Sequence, residues 1–184
     1  MYAHRKYLKE KYQVSSYQIA QIEFLFKTIF SELSKMLIMG ILFHRNLDLY
    51  LCALCVMFYL RSTTGGLHFY TYIKCLACSA LFIWLAVFLL PRLTLPSFVQ
   101  TGVLLISLIV CYLIGPVVSK YRPEPSPQQF QHFRNVTCMG IFVYAVILYV
   151  FPENRFTIVG FWIIVLHSLQ LTVAKIRRKG GLKL

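Results

Sequence analysis

Long apolar runs separated by short polar stretches dominate the chain. The longest lie at 47–60, 75–90, 98–118, 136–151 and 156–174. A helix crosses the roughly 30 Å hydrocarbon layer with about 20 residues, because each residue rises about 1.5 Å. The first run reaches this length if it continues to Thr64, and the second if its helix begins near Tyr70. The pattern predicts an all-α integral membrane protein, in agreement with a composition that is 58% hydrophobic.

The segment before these runs has an amphipathic pattern. Its apolar residues recur at helical period, and its polar residues fall on the opposite face. The apolar face holds Ile19, Ile22, Phe26, Ile29, Leu33 and Met36, and the polar face holds Gln21, Thr28, Ser31, Glu32 and Lys35. Such a helix lies in the membrane interface or spans the bilayer, and the sequence leaves the two open. We therefore expect about six membrane segments, the first of them amphipathic.

The basic residues are distributed unevenly between the loops. If the chain crosses six times, one side holds Arg5, Lys6, Lys9, Lys11, Arg61, Lys74, Lys120, Arg122, Arg134, Lys175, Arg177, Arg178, Lys179 and Lys183. The other side holds Arg45, Arg92 and Arg155. Cytosolic loops are enriched in Lys and Arg, so we expect a multi-pass protein with both termini in the cytosol. Five crossings anchored by the basic C-terminal tail leave the loop at 61–74 on the same side.

We expect a single membrane domain, residues 1–184, in which the polar stretches form loops and tails. They are a cytosolic N-terminal tail at 1–15, a loop and helix start at 61–78, a proline-rich basic loop at 119–135 and a basic cytosolic tail at 175–184. Pro123, Pro125 and Pro127 oppose helix in the third of these stretches. Each proline removes a backbone donor and disfavours helix at the residue before it.

The formal net charge of +13 would also suit a nucleic-acid-binding protein. Such proteins gather their basic residues on a folded polar surface, whereas here these residues lie between apolar runs. We interpret the charge as a signal of topology, and we expect the lipid bilayer as a partner and no nucleic acid.

The segment from Arg61 to Cys75 carries the candidate chemistry. It combines the pair Gly65-Gly66 with His68, and Cys75 follows at the start of an apolar run. A cysteine nucleophile needs its thiolate, which a nearby imidazolium and the positive end of a helix both favour. In a continuous helix His68 and Cys75 would lie about 10.5 Å apart along the axis, too far for a hydrogen bond. The glycines permit a bend before His68, so that the histidine can fold back over a helix that begins after it.

Other interpretations of these residues stay open. Cysteines inside apolar runs are usually packing residues, and a single loop histidine is usually solvated. The pairs Cys52/Cys55 and Cys75/Cys78 have the spacing of a four-cysteine zinc site, although apolar helices are unusual places for one. A small transporter that moves a peptide without cutting it would also place polar residues inside the membrane.

Resemblance to a known family is carried by one spacing motif, Arg61-x3-Gly65-Gly66-x-His68-x6-Cys75. This motif, set between two apolar segments, is similar to that of the accessory gene regulator protein B (AgrB) family. The Gly-Pro-Val sequence at 115–117, before a basic loop with prolines, also resembles the family. Its members are membrane cysteine endopeptidases of Gram-positive bacteria, which process the precursor of a cyclic autoinducing peptide used in quorum sensing.

The resemblance implies that His68 and Cys75 are catalytic and that no metal or cofactor is needed. Cys75 would attack a carbonyl of an AgrD-like precursor peptide, and the acyl group would then be captured within the peptide to close a thiolactone or lactone ring. Cys78 is not carried over from the family. The resemblance also implies a location in the bacterial cell membrane, and it leaves a homodimer open.

Substrate contacts are expected near the catalytic motif. Arg61 has two interpretations, a contact to a substrate carboxylate and snorkelling to the interface. Backbone N–H groups near Gly65 and Gly66 are candidates to stabilise an oxyanion.

Two further sets of polar residues are candidates for binding. Lys120, Arg122 and Arg134, in the proline-rich loop, are expected to attract an acidic segment of the precursor. His167 and Gln170 lie in the last apolar run, where a polar residue serves function or forms a hydrogen bond between helices.

A reporter attached to either terminus or to the loop containing His68 tests the topology. Because the basic residues concentrate on that side, all three reporters should give a cytosolic signal. Fusions to enzymes that are active on one side of the membrane only provide the measurement. An extracellular signal from any of the three sites would overturn the assignment.

Overall fold

A computed structural model describes the backbone of residues 16–66, 71–117 and 126–179, and the side chains from residue 29 to 177 within these ranges. The main helices there are α1 (Ser16–Leu42), α2 (Leu47–Thr64), α3 (Tyr72–Trp84), α4 (Ser97–Ile114), α5 (Pro127–Val150) and α6 (Arg155–Lys179). A 3₁₀ turn, His44–Asn46, precedes α2. A π-helical turn, Leu85–Leu89, and a 3₁₀ turn, Leu90–Arg92, extend α3. The expected all-α class is confirmed.

Within the described ranges, five segments are long and apolar enough to cross a membrane. They are His44–Thr64, Tyr72–Arg92, Ser97–Ile114, Pro127–Val150 and Arg155–Arg177. These correspond to the five apolar runs of the sequence, and α1 is the amphipathic segment that precedes them. The protein is therefore an all-α membrane protein with several membrane-spanning helices.

By its contacts the chain divides into two compact units, Met1–His44 and Arg45–Leu184, and the single membrane domain stays a prediction. The first contains α1, a long helix that satisfies most of its backbone hydrogen bonds internally. In α1, Lys35 Nζ lies 2.6 Å from Glu32 Oε1, so this carboxylate pairs with a lysine one turn away.

Helix α6 is the centre of the second unit. It packs against α2, α4 and α5. Of its membrane-crossing window, 61% is buried, against at most 33% for any of the other four spans. A helix that is apolar on all sides is suited to such a position, because its whole circumference can pack against its neighbours.

Tyrosines packed onto glycines hold α5 in place. The ring of Tyr59, from α2, lies against Gly140, and Tyr144 lies against Gly160, from α6. The Tyr59 hydroxyl donates to the Val136 carbonyl at 2.7 Å, and the Tyr144 hydroxyl donates to a carbonyl of α6 at 2.9 Å. Small residues at helix interfaces permit this close approach in membranes.

Two helix boundaries differ from the apolar runs. Helix α5 begins at Pro127, so residues 127–135 of the predicted loop at 119–135 are helical. A capping box explains the early start, because Ser126 and Gln129 each bond the backbone N–H of the other. Helix α4 ends at Ile114, before the predicted position 118, and Gly115 caps it with a φ of 65°.

Candidate functional site

The end of α2 is fixed by backbone hydrogen bonds. Gly65 caps the helix with a φ of 74°, and its N–H donates to the Arg61 carbonyl at 3.0 Å. The carbonyl of Thr64, the residue before Gly65, accepts from the Val117 N–H at 2.9 Å. Gly65 and Val117 thereby form an isolated parallel bridge. The structure thus brings together the two glycine-containing motifs that carry the family resemblance.

Glycine is required at position 65 for two reasons. Its backbone conformation is one that other residues rarely adopt. A Cβ atom there would also overlap the carbonyl oxygen of Val117. Gly66 differs, because the nearest atoms to a Cβ on it would lie 3.8 Å away or farther. Gly65 therefore maintains the bridge, while a Cβ on Gly66 would only make ordinary contacts with Arg61 and Gln170.

Cys75 lies in the first turn of α3. It is the fourth residue of that helix, and its N–H donates to the carbonyl of Thr71, the N-cap residue, at 3.1 Å. Its side chain is 6% exposed, and Cys78, one turn later, is half-buried. Helix α3 contacts both α2 and α6. The expectation that this helix begins after His68 is confirmed.

Three of the predicted site residues lie outside the described part of the chain. They are His68, Lys120 and Arg122. The pairing of His68 with Cys75 therefore stays a prediction. Arg61, Gly65, Gly66 and Cys75 are described. Arg61 lies in the last turn of α2, the end from which the chain leads to the start of α3.

His167 joins α6 to the end of α2. Its Nε2 lies 2.7 Å from Thr64 Oγ1 in a fully buried contact. Because the Thr64 hydroxyl gives its proton to the Leu60 carbonyl at 2.6 Å, its oxygen accepts from the His167 ring. The imidazole therefore carries its proton on Nε2. The hydrogen bond between helices that the sequence offered as a role for His167 is confirmed.

Unpartnered polar atoms surround this contact. Arg61 Nε, Gln170 Nε2 and His167 Nδ1 are buried and have no hydrogen-bond partner within the described ranges. Arg61 Nε lies 3.8 Å, and Gln170 Nε2 3.9 Å, from the point that a Cβ on Gly66 would occupy. Both residues stood out in the sequence, but separately, because nothing in the sequence indicates that α2 packs against the C-terminal half of α6.

Other basic side chains at this end of the bundle bind helix carbonyls. The Arg134 guanidinium donates to the Tyr112 carbonyl and stacks on the Tyr112 ring, 4.1 Å from its centroid. Lys175 Nζ donates to the Ile114 carbonyl at 3.5 Å. Both cations thus lie at the C-terminal end of α4, where the helix dipole favours positive charge. Arg134 thus binds the end of α4, and its expected attraction for an acidic segment of the precursor stays a prediction.

The described residues give no support to a zinc site. No three His, Cys, Asp or Glu side chains among them are close enough to hold a metal ion. This includes Cys52, Cys55, Cys75 and Cys78, the four residues of the proposed spacing.

The fold and this site define a multi-span helical membrane protein with a buried cysteine at the start of a membrane-spanning helix. The family described as Accessory gene regulator B matches residues 4–171, so the chain belongs to that family. A "Putative AgrB-like protein" of Clostridium beijerinckii is 28% identical over 115 residues, which cover 60% of this chain and 57% of that relative. The chain thus spans little more than half the length of this relative. No solved structure matches the chain. The family resemblance of the sequence is confirmed, and it assigns the protein to the accessory gene regulator system.

Replacing Gly65 with alanine tests the bridge at the end of α2. The strained backbone conformation alone costs about 1–3 kcal/mol, and the overlap with Val117 adds to it. Thermal unfolding in lipid nanodiscs should show a midpoint several degrees below that of the wild type. Gly102→Ala is the matched control, because no atom lies within 4 Å of a Cβ there and alanine favours helix. Equal midpoints for the two variants would contradict the bridge.

Proposed function

We propose that this protein is a membrane cysteine endopeptidase that cleaves the precursor of an autoinducing peptide on the cytosolic side. Membership of the AgrB family supports a processing role. The observation that carries the proposal is the position of Cys75, in the first turn of α3 and at the same end of the bundle as the Gly65–Val117 bridge. The partial positive charge of a helix N-terminus is directed at a sulfur anion there.

His68 is the general base and acid in this proposal. It takes the proton of the Cys75 thiol, and the sulfur attacks a carbonyl of the precursor to form a thioester acyl-enzyme. His68 then gives the proton to the leaving amine. A cysteine or serine side chain of the same peptide attacks the thioester, which releases Cys75 and closes a thiolactone or lactone ring. These acyl-transfer steps need no metal, oxidant or cofactor.

The oxyanion of the tetrahedral intermediate needs a donor. Of the two glycines proposed for this role, Gly65 uses its N–H to cap α2. The N–H of Gly66 is therefore the backbone candidate from this pair.

Replacing Cys75 with alanine should abolish cleavage but preserve membrane insertion and precursor binding, because the reacting atom is separable from the binding surfaces. Cys78→Ala is the matched control one turn away, and it should retain activity. His68→Ala should be slower by roughly 10²- to 10⁴-fold, with residual activity at alkaline pH, where the thiol ionises unaided. Intact-mass spectrometry of the precursor and its products measures all three variants.

The same experiment separates the peptidase from a peptide transporter. In the wild type, brief incubation with precursor should leave an adduct on Cys75 that hydroxylamine removes, as expected of a thioester. A transporter gives no adduct. Precursor shortened at the normal rate by the Cys75→Ala protein would end the peptidase proposal at this residue.

The basic loop after α4 is proposed to attract an acidic segment of the precursor. Since Arg134 binds the end of α4, the test is limited to Lys120→Gln with Arg122→Gln. Precursor affinity should fall at low salt, and the difference should shrink at physiological salt, where the Debye length is about 8 Å. Arg45→Gln with Arg155→Gln is the control at the opposite end. Unchanged affinity of the loop variant at low salt would contradict the proposed attraction between the loop and the precursor.

A further inference from the structure

Two donors from different helices lie close to Gly66. Arg61 Nε comes from the last turn of α2, and Gln170 Nε2 comes from α6, and each lies within 4 Å of the point that a Cβ on Gly66 would occupy. Both atoms are buried and have no hydrogen-bond partner among the described residues, and Gln170 as a whole is 4% exposed. A buried donor without a partner is destabilising, and more so in a charged group. Two such donors close to one point indicate a site that an acceptor fills.

The charge of Arg61 identifies the kind of acceptor. Arg61 is half-buried with its Nε buried, and an anion stabilises a cation in such a position more than a neutral group does. Among the described side chains of the second unit, the acidic ones are Asp48 and Glu153. Asp48 lies in the first turn of α2 and Glu153 just before α6, so both are at the opposite end of the helices that carry Arg61 and Gln170. A neutral carbonyl would satisfy a hydrogen bond but would leave the charge uncompensated.

We propose that Arg61 and Gln170 form a carboxylate-binding site beside Gly66, which holds an acidic side chain of the peptide substrate. One carboxylate oxygen accepts from Arg61 Nε, and the other is within reach of the Gln170 amide, an arrangement that uses the planar donors of the guanidinium. Because Gly66 has no side chain, no Cβ lies between the two donors and the ligand. The identity of the ligand as a substrate rests on the proposed function, but the chemistry of the site does not.

His167 supports this site from within α6. It lies one turn before Gln170, so the two side chains share a face of the helix. Its ring binds Thr64, next to the glycine pair, and so fixes α6 against the end of α2. We assign His167 a positioning role, because its hydrogen bond holds together the two helices that supply the donors.

Introducing a carboxylate into the protein tests the chemistry of the site without any ligand. In Gln170→Glu the new carboxylate should pair with Arg61, and the unfolding midpoint in phosphatidylcholine nanodiscs should equal or exceed that of the wild type. The same substitution in an Arg61→Gln background should lower the midpoint by several degrees, since the carboxylate is then buried alone. Equal effects of Gln170→Glu in the two backgrounds would overturn the proposal.

Peptide binding tests the source of the carboxylate. The probe is a fluorescent acetylated Asp-Glu-Asp-Glu peptide amide, compared with its Asn-Gln-Asn-Gln counterpart, and the protein is the Cys75→Ala variant in phosphatidylcholine nanodiscs. The acidic peptide should bind more tightly, and Gln170→Glu should weaken it about tenfold by occupying the site. Gln100→Leu, which loses a half-buried glutamine near the start of α4, should bind as the parent does.

The outcomes separate the site from the reaction. Equal binding of the two peptides, or equal affinity of Gln170→Glu and the parent for the acidic one, would overturn the peptide assignment. A midpoint raised by phosphatidylglycerol in the parent but not in Gln170→Glu would assign the site to lipid headgroups and also overturn it. Because Cys75 is already replaced, these results do not depend on whether the protein cleaves peptides.

Discussion

The hydrogen bond from the Val117 N–H to the Thr64 carbonyl is the contact on which the candidate site depends. In a membrane, a backbone group that leaves a helix must find a partner within the protein, because lipid offers none. Here the end of α2 finds it in the segment after α4. This bond fixes the direction in which the chain leaves α2, and therefore the start of the segment that leads to Cys75. The two glycine motifs are neighbours in space for the same physical reason.

Helices were the part of this structure that the sequence predicted best. The lipid environment fixes their length, and a run such as 47–60 extended to Thr64 ends at the residue where α2 ends. Boundaries set by polar chemistry were harder to predict. Residues 127–135 read as a loop because they are polar, yet Ser126 and Gln129 form a capping box that starts α5 early. The hydrophobic pattern shows which residues lie in lipid. It does not show where a polar helix start lies, because a capping box depends on the identity of residues within one turn.

The candidate site was predicted in its local parts only. Gly65, Gly66 and Cys75 belong to one short segment, so their spacing could be recognised in the sequence. The start of α3 after His68 followed from the need for a bend between His68 and Cys75. The association of Arg61 with Gln170 depends on how α2 packs on α6, which neither helix reveals by itself. The contacts of Arg134 were not predicted for a similar reason. Its positive charge was visible in the sequence, but its contact with Tyr112 depends on the packing of α4 on α5.

The bridge between Gly65 and Val117 also limits how far a captured peptide can be from the cysteine segment. Lys120 follows Val117 by three residues and Arg122 by five. A chain extends at most about 3.6 Å per residue, so their backbones stay within about 11 Å and about 18 Å of the bridge. Under the proposed function, a peptide bound to these cations would therefore be held near Gly65. The effective concentration of the peptide near Gly65 would then depend on the short length of chain between Val117 and the cations, and not on the concentration of the peptide in the cell.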